Sequence, residues 1–126
     1  MFTFLVNHIA LSVQDVDAAV AFYQEVLHLE EIENTASNSK TRWLALGQKQ
    51  LHLIPRPGFE IKVNKAVHFA LAIKDIDAFI QHLESIGIDY SDWRDTKKKD
   101  YVRKDGIKQI YFQDPNGYWI EINNDI

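Results

Sequence analysis

The residues 66–83, AVHFALAIKDIDAFIQHL, indicate the fold class because their pattern occurs twice in the chain. The other copy is 7–24, NHIALSVQDVDAAVAFYQ, in which His8 stands sixty residues before His68. The two copies also share an alanine two positions after the histidine and a pair of aspartates further on. Repeat architectures of the solenoid type need at least three units. Two copies therefore predict a pseudo-symmetric pair of modules.

Each copy is predicted to begin with a strand and continue as a helix. Polar or small residues alternate with bulky aliphatic ones over 8–13 and again over 66–73, which is the two-residue period of a strand. Asp15 and Asp75 then stand where they can cap a helix, and apolar residues follow at helical spacing. Gly87 is a suitable end for the second helix, whereas the first ends near His28 without a glycine.

Three further strands are predicted after each helix. We place them near 29–34, 41–46 and 50–54 in the first copy, and near 89–92, 108–113 and 118–123 in the second. The last two strands are joined by Asp-Pro-Asn-Gly at 114–117, which has the composition of a type I turn. The chain is thus predicted to be one α+β domain over 1–126, with βαβββ modules at about 4–56 and 66–124.

The composition limits the classes of function. The chain has 126 residues, a formal net charge of −4 and no cysteine, so a nucleic-acid partner, a disulfide framework and a thiolate metal site are not expected. The apolar start, MFTFLV, lacks the basic region and the length of a signal peptide. No apolar run reaches membrane-spanning length. These features predict a cytoplasmic protein with no membrane partner.

Four polar residues are expected to lie on one side of the predicted sheets. They lie opposite the aliphatic face of their own strands, two in the first strands and two in the last: His8, His68, His52 and Glu121. If the helices cover the aliphatic faces, the other faces form a cleft towards which these side chains point. Three imidazoles and a carboxylate suit a divalent metal ion. A single strand histidine is more often a structural residue, but the matched positions in both copies favour ligands.

Two further features suggest contacts with a substrate. Trp119 shares the strand face of Glu121, so we predict that it lines the pocket, with core packing as the alternative. The most charged segment, 94–106, falls between strands of the second module. It can be a lid whose Arg103 or Lys104 meets an anionic substrate, or simply a solvated loop.

These segments resemble the vicinal oxygen chelate superfamily, the glyoxalase, bleomycin-resistance and dioxygenase group. The matching text is NHIALSVQDVDAAVAFYQEVL, LHLIP, AVHFALAIKDIDAF and YFQDPNGYWIEI, which covers nearly the whole chain. The resemblance implies paired βαβββ modules forming a cupped eight-stranded mixed sheet with helices outside. It places the metal ligands at His8, His52, His68 and Glu121, and it implies a homodimer. Tyr111, in YFQDP, matches a tyrosine that faces the site in fosfomycin-type thiol transferases.

The resemblance implies an enzyme that uses a divalent ion to hold two vicinal oxygens of its substrate. A lyase or isomerase similar to lactoylglutathione lyase is the leading expectation, acting on a small oxo-compound through an enediolate-type intermediate, with Glu121 as the catalytic base. Zinc, nickel, cobalt, manganese and iron all suit the predicted ligands. The alternatives are an antibiotic-binding or thiol-transferase resistance protein and an extradiol-type dioxygenase. An extradiol enzyme typically offers two histidines and one carboxylate, so ligation by His52 would disfavour it.

The chain also departs at several positions from the glyoxalase I and fosfomycin-transferase patterns. Compact bacterial glyoxalase I usually has glutamate where this chain has His52. The positions that clamp glutathione there are Ser12 and Arg56 here, so the glutathione clamp of those enzymes is not recognisable in this chain. Fosfomycin-type transferases usually have threonine where this chain has Ala10.

Overall fold

The two copies fold as two compact units, unit 1 (Met1–Ile61) and unit 2 (Lys62–Ile126), in a computed structural model that describes residues 1–126. The division falls within the predicted linker between the modules. Unit 1 consists of β1 (His8–Val13), α1 (Val16–Leu27), β2 (Glu31–Ile32), β3 (Arg42–Leu46) and β4 (Lys49–Pro55). Unit 2 consists of β5 (His68–Ala72), α2 (Ile76–Ser85), β6 (Tyr101–Val102), β7 (Lys108–Gln113) and β8 (Trp119–Asn123).

The eight strands form two four-stranded sheets, which confirms the α+β class and the βαβββ order of each module. The strand orders are β1-β4-β3-β2 and β5-β8-β7-β6. In each sheet the first and last strands of the module pair in parallel, and the other pairings are antiparallel. The last strand of each module is therefore central, with the first strand on one side of it.

Both helices begin at the predicted capping aspartates. Asp15 Oδ1 accepts the Ala18 N–H at 3.1 Å, and Asp75 Oδ1 accepts the Ala78 N–H at 3.0 Å. Gly87 follows α2 with a φ of 74°, as predicted from its freedom to adopt positive φ. At the end of α1 His28 itself adopts the left-handed conformation, with a φ of 54°. The first helix therefore ends without a glycine because a histidine accepts that backbone strain.

The aliphatic faces of the central strands form a separate core in each unit. In unit 1, α1 packs against β4 and β3, where Leu51 and Leu53 have no exposed surface. In unit 2, Phe79 of α2 lies 6.1 Å from Phe112 of β7 between ring centroids, and Ile120 of β8 has no exposed surface. The predicted parity is therefore correct, and it leaves the polar side chains on the opposite face of each sheet.

One strand lies elsewhere than predicted. The prediction of a strand at 89–92 is wrong, because Ser91 makes only isolated bridges to Lys97 and Tyr111. Asp92 turns the chain by accepting the Thr96 N–H at 2.8 Å. The strand next to β7 is instead β6 (Tyr101–Val102), which lies inside the charged segment 94–106. Neither helix is both long and apolar enough to cross a membrane.

Candidate functional site

Unit 2 brings one predicted pair of ligands together. His68 begins β5 and Glu121 lies in the neighbouring strand β8, on the face opposite the aliphatic core. Their Nε2 and Oε1 atoms are 3.3 Å apart, and the side chains are 22% and 11% exposed. Two ligands bound about 2.1 Å from one ion would lie at a comparable separation.

The ring of His68 is oriented by the backbone. Its Nδ1 lies 2.8 Å from the carbonyl oxygen of Lys65. A carbonyl can only accept, so Nδ1 carries a proton and donates it to that oxygen. Nε2 is then the atom that faces Glu121. Metal-bound histidines are typically oriented in this way, by a hydrogen bond from the other ring nitrogen.

Two hydrogen-bond donors hold the carboxylate of Glu121. The Tyr111 hydroxyl donates to Oε1 at 2.9 Å, and the Asn123 side-chain amide donates to Oε2 at 2.7 Å. Burial, together with the hydrogen bond to Glu121, raises the pKa of the Tyr111 phenol well above its usual range. Tyr111 therefore remains protonated at neutral pH and serves as a permanent donor. The predicted Tyr111 thus contacts the predicted base directly.

Unit 1 arranges its pair differently. His52 of β4 lies between His8 and Trp43, with ring centroids 4.0 and 4.2 Å away and interplanar angles of 18° and 4°. His8 Nδ1 is 2.7 Å from Asn7 Oδ1, and His52 Nε2 is 2.9 Å from Gln50 Oε1. Burial and the neighbouring His8 lower the pKa of His52, so the neutral ring is favoured.

The stacked rings are not yet arranged to share an ion. An imidazole lone pair lies in the plane of its ring. Because the rings of His8 and His52 are stacked and nearly parallel, their lone pairs cannot both point at one ion. One ring, or both, would have to rotate before they could bind the same ion. Neither unit contains a group of three or more His, Asp or Glu side chains arranged to hold a metal. The His68–Glu121 pair therefore fits a metal ion as it stands, and the His8–His52 pair would need to rearrange.

A half-buried lysine supports the unit 2 pair. Lys65 Nζ contacts the carbonyl oxygens of Asp92 and Trp93 at 2.9 and 3.1 Å and the Asp95 carboxylate at 2.6 Å. The same ammonium lies over three aromatic rings, those of Trp119, Tyr111 and Trp93, at 4.5, 5.1 and 5.6 Å from their centroids. Lys65 thus fixes the loop, the aromatic side chains and, through its carbonyl, His68. The sequence analysis missed this residue because a lysine before a strand carries no recognisable signal.

The other predicted substrate residues differ in their surroundings. Trp119 is directly opposite His68 in the register of β5 and β8, and it lines a cavity of unit 2. Arg103 pairs with Asp105 and lies 3.7 Å from Asp125. Its charge is therefore shared with two carboxylates.

A second cavity lies beside the His68–Glu121 pair, and its lining includes the predicted site residue Tyr111. Its volume is about 510 Å³, and it is lined by Asp92, Trp93, Arg94, Tyr101, Gln109 and Tyr111. Trp93 and Tyr111 are also close to His68, with ring centroids 6.2 and 5.5 Å away. Trp93 directly precedes the charged segment 94–106 and Tyr101 lies within it, so these two aromatic residues are a further sequence signal for the cavity.

Comparisons with known proteins identify the class. The family model described as Glyoxalase/Bleomycin resistance protein/Dioxygenase superfamily matches residues 5–122. The chain therefore belongs to this superfamily.

Two curated relatives have different activities. The metallothiol transferase FosB of Shouchella clausii is 31% identical over 122 residues, which cover 94% of this chain and 78% of that protein. Glyoxylase I 4 of Arabidopsis thaliana is 30% identical over 127 residues, covering 94% and 69%. Similar identities to a transferase and a glyoxylase leave the reaction type open between them.

A solved structure supports the fold. The crystal structure of a putative glyoxalase family protein from Bacillus anthracis superposes with a TM-score of 0.78 at 24% identity, covering 98% of this chain and 96% of that one. At this identity the likeness concerns the fold alone.

Proposed function

We propose that the chain is a divalent-metal enzyme of the glyoxalase type that acts on a small oxo-compound. His68 and Glu121 would be the central ligands, and His8 and, after reorientation of its ring, His52 remain the other two predicted ligands. The relatives support metal use, since one of them is named a metallothiol transferase. Zinc, nickel, cobalt, manganese and iron remain the candidate ions for imidazole and carboxylate ligands.

The contact between His68 and Glu121 carries this proposal. Nδ1 of His68 must be protonated because it faces a carbonyl oxygen, so a neutral ring presents a lone pair at Nε2. That lone pair would face a carboxylate oxygen 3.3 Å away. Two acceptors directed at each other repel unless a positive species lies between them. The arrangement calls either for a proton on Nε2 or for a cation bound by both groups.

The bound ion would act as a Lewis acid that stabilises negative charge on two adjacent substrate oxygens. Glu121 would remove a proton from the carbon next to the substrate carbonyl and return it to the former carbonyl carbon. This isomerisation needs no outside oxidant or reductant. Tyr111 and Asn123 would keep the carboxylate in place during both proton transfers.

A second candidate is a thiol transfer reaction of the metallothiol transferase kind. The observation in its favour is the position of His52, which is stacked between two rings and hydrogen-bonded to Gln50. If His52 stays there, three protein ligands remain, and more positions of an ion are open to substrate than in a four-ligand site. The 31% identity to FosB is consistent with this alternative.

Elemental analysis of the untagged protein tests the metal site. We expect near-stoichiometric metal in the wild type and loss of most of it in His68→Ala and Glu121→Gln. His28→Asn is the matched control, since this histidine lies at the end of α1 in a left-handed conformation that asparagine tolerates. Metal-free protein that binds no divalent ion after reconstitution would refute the proposal.

His52→Ala then separates the two reactions. Loss of metal in this variant would favour four ligands, and we would expect turnover of the methylglyoxal–glutathione hemithioacetal with proton transfer that fails in Glu121→Gln. Retained metal would favour the transferase, and thiol consumption with fosfomycin would be the assay. Full turnover of the hemithioacetal by a metal-loaded Glu121→Gln variant would show that Glu121 is not the base.

A further inference from the structure

We propose that the 510 Å³ cavity of unit 2 binds a small planar aromatic carboxylate. Cavities of a few hundred Å³ lined by aromatic side chains with few polar groups are typical small-molecule sites. The inference deepens the proposed function, because it names the substrate class of the same site. Binding in the cavity does not itself require the metal, which allows the two ideas to be tested separately.

Three aromatic side chains explain the preference for a planar ligand. Trp93 and Tyr101 are 46% and 51% exposed although they are large and apolar, whereas Tyr111 is 4% exposed. The rings of Trp93 and Tyr111 meet edge-on, with centroids 5.4 Å apart and an interplanar angle of 64°. This arrangement offers a ligand ring both faces and edges, and aromatic pairs gain energy in such geometries beyond the area they bury.

Arg94 explains the preference for an anion. Arg94 lines the cavity and its guanidinium is in no ion pair, unlike that of Arg103, which contacts Asp105 and Asp125. Asp92 also lines the cavity, and its carboxylate stays ionised but is directed to the loop backbone, where it accepts the Thr96 N–H at 2.8 Å. The nearby ammonium of Lys65 is occupied by Asp95. Arg94 is therefore the charge available to a ligand, and a planar guanidinium matches a carboxylate.

The cavity also lies next to the proposed reaction centre. Its Tyr111 donates to Glu121, and its Trp93 lies beside His68. The Gln109 side-chain amide donates to the Tyr111 hydroxyl at 3.0 Å, which aligns that hydroxyl towards Glu121. A ligand held by Trp93 and Arg94 therefore borders the residues that would hold the metal. The substrate class inferred is a small planar aromatic carboxylate.

The probes are trans-cinnamate, its neutral analogue cinnamamide, and 3-cyclohexylpropanoate, which has the same number of non-hydrogen atoms as cinnamate but no aromatic ring. Binding is followed by amide chemical shifts in NMR titrations of wild type, Trp93→Ala, Trp93→Phe, Arg94→Gln and Arg103→Gln. Arg56→Gln is the control, because it removes the same charge from unit 1, where Arg56 lies over Phe59. Each titration is run with metal-loaded and with metal-free protein.

We expect cinnamate to bind about three- to tenfold more tightly than the cyclohexyl acid, since only cinnamate can stack. Arg94→Gln should weaken cinnamate about fivefold and leave cinnamamide unchanged, because it removes only the charge interaction. Trp93→Ala should abolish the preference for the aromatic acid, and Trp93→Phe should restore most of it. Arg103→Gln and Arg56→Gln should bind as the wild type does.

Several outcomes would overturn the inference. They are equal affinity for the aromatic and cyclohexyl acids, shifts that map outside the cavity, and loss of binding in Arg103→Gln but not in Arg94→Gln. Because Trp93 and Arg94 are exposed, their variants should fold, and dispersed amide spectra verify it. Binding by metal-free protein with the expected variant pattern would support the cavity even if the metal proposal failed. A metal-loaded, active protein without this pattern would refute the cavity alone.

Discussion

The last strand of unit 1 places His52 opposite Trp43, whereas the last strand of unit 2 places Glu121 opposite Tyr111. On the other edge of each of these strands, His52 pairs with Ala10 and Glu121 pairs with Ala70, the alanines two positions after His8 and His68. The backbone register is therefore the same, and only the side chains differ. A neutral imidazole is stabilised by flat rings on both faces, whereas a buried carboxylate requires hydrogen-bond donors.

This difference shows how a duplicated framework can supply two kinds of ligand. The aliphatic side of each central strand keeps its packing, so the polar side is free to change. In unit 2 Tyr111, over whose ring Lys65 lies, contacts the carboxylate of Glu121, and the Glu121 side chain is only 11% exposed. The carboxylate of Glu121 is therefore the predicted ligand that two side-chain donors hold in place.

The shared framework should be the most sensitive to mutation. Leu51 and Ile120 directly precede His52 and Glu121, and neither has any exposed surface. Leu51→Ala and Ile120→Ala should each lower the free energy of unfolding by about 2–5 kcal/mol, because each leaves a cavity in a core. Urea denaturation measures the change. Lys49→Ala, at an exposed position of β4, should change it by less than about 0.5 kcal/mol. A loss below that level in either core variant would contradict the equivalence of the two cores.

Metal affinity should fall by different amounts when the aromatic residue opposite Glu121 or opposite His52 is replaced. Tyr111→Phe deletes a donor to Glu121 and should weaken metal binding about 10- to 100-fold, as loss of a ligand's hydrogen-bond partner typically does. Trp43→Phe keeps an aromatic face over His52 and should weaken it by less than about threefold. Competition with a chromophoric chelator gives both values. Equal losses in the two variants would mean that the units support their ligands in the same way.

The smallest expected effect concerns the ion pairs beside the helices. Arg42 joins Glu31 and Asp17 in unit 1, and Lys108 joins Asp77 and Asp100 in unit 2. The Arg42 hydrogen bond holds the pKa of Glu31 below its usual range. The unfolded chain therefore binds this proton more tightly than the folded one, so the stabilisation is present above the ordinary pKa of glutamate and is lost as pH falls through the lowered value.

Glu31→Gln should accordingly remove a few tenths of a kcal/mol at pH 7 and almost nothing at pH 3, since the pair is at the surface. Thermal unfolding between these pH values is the measurement, with exposed Glu30→Gln as the control. A constant difference from pH 3 to pH 7 would show that Glu31 acts by packing and not by charge.

Most of the fold was predictable because it depends on local patterns. The repeat predicts two modules, the two-residue period predicts the buried faces of the strands, and Asp15 and Asp75 predict where the helices begin. The sixth strand was not predictable, because two residues of an exposed edge strand have no period. The pairing of His68 with Glu121 followed from parity. The stacking of His52 did not, because parity gives the face of a strand and not the rotation of a ring.

The sequence by itself determined the superfamily, the order of the elements and the face on which each ligand lies, because these depend on spacing along the chain. Only the tertiary structure decided which cations are available and which are already paired. Arg103 and Lys65 are matched with carboxylates, and Arg94 is left to the cavity. Which cation is paired depends on side chains that meet across loops. The distance between two charges in space, which sets their interaction, cannot be read from their separation in the sequence.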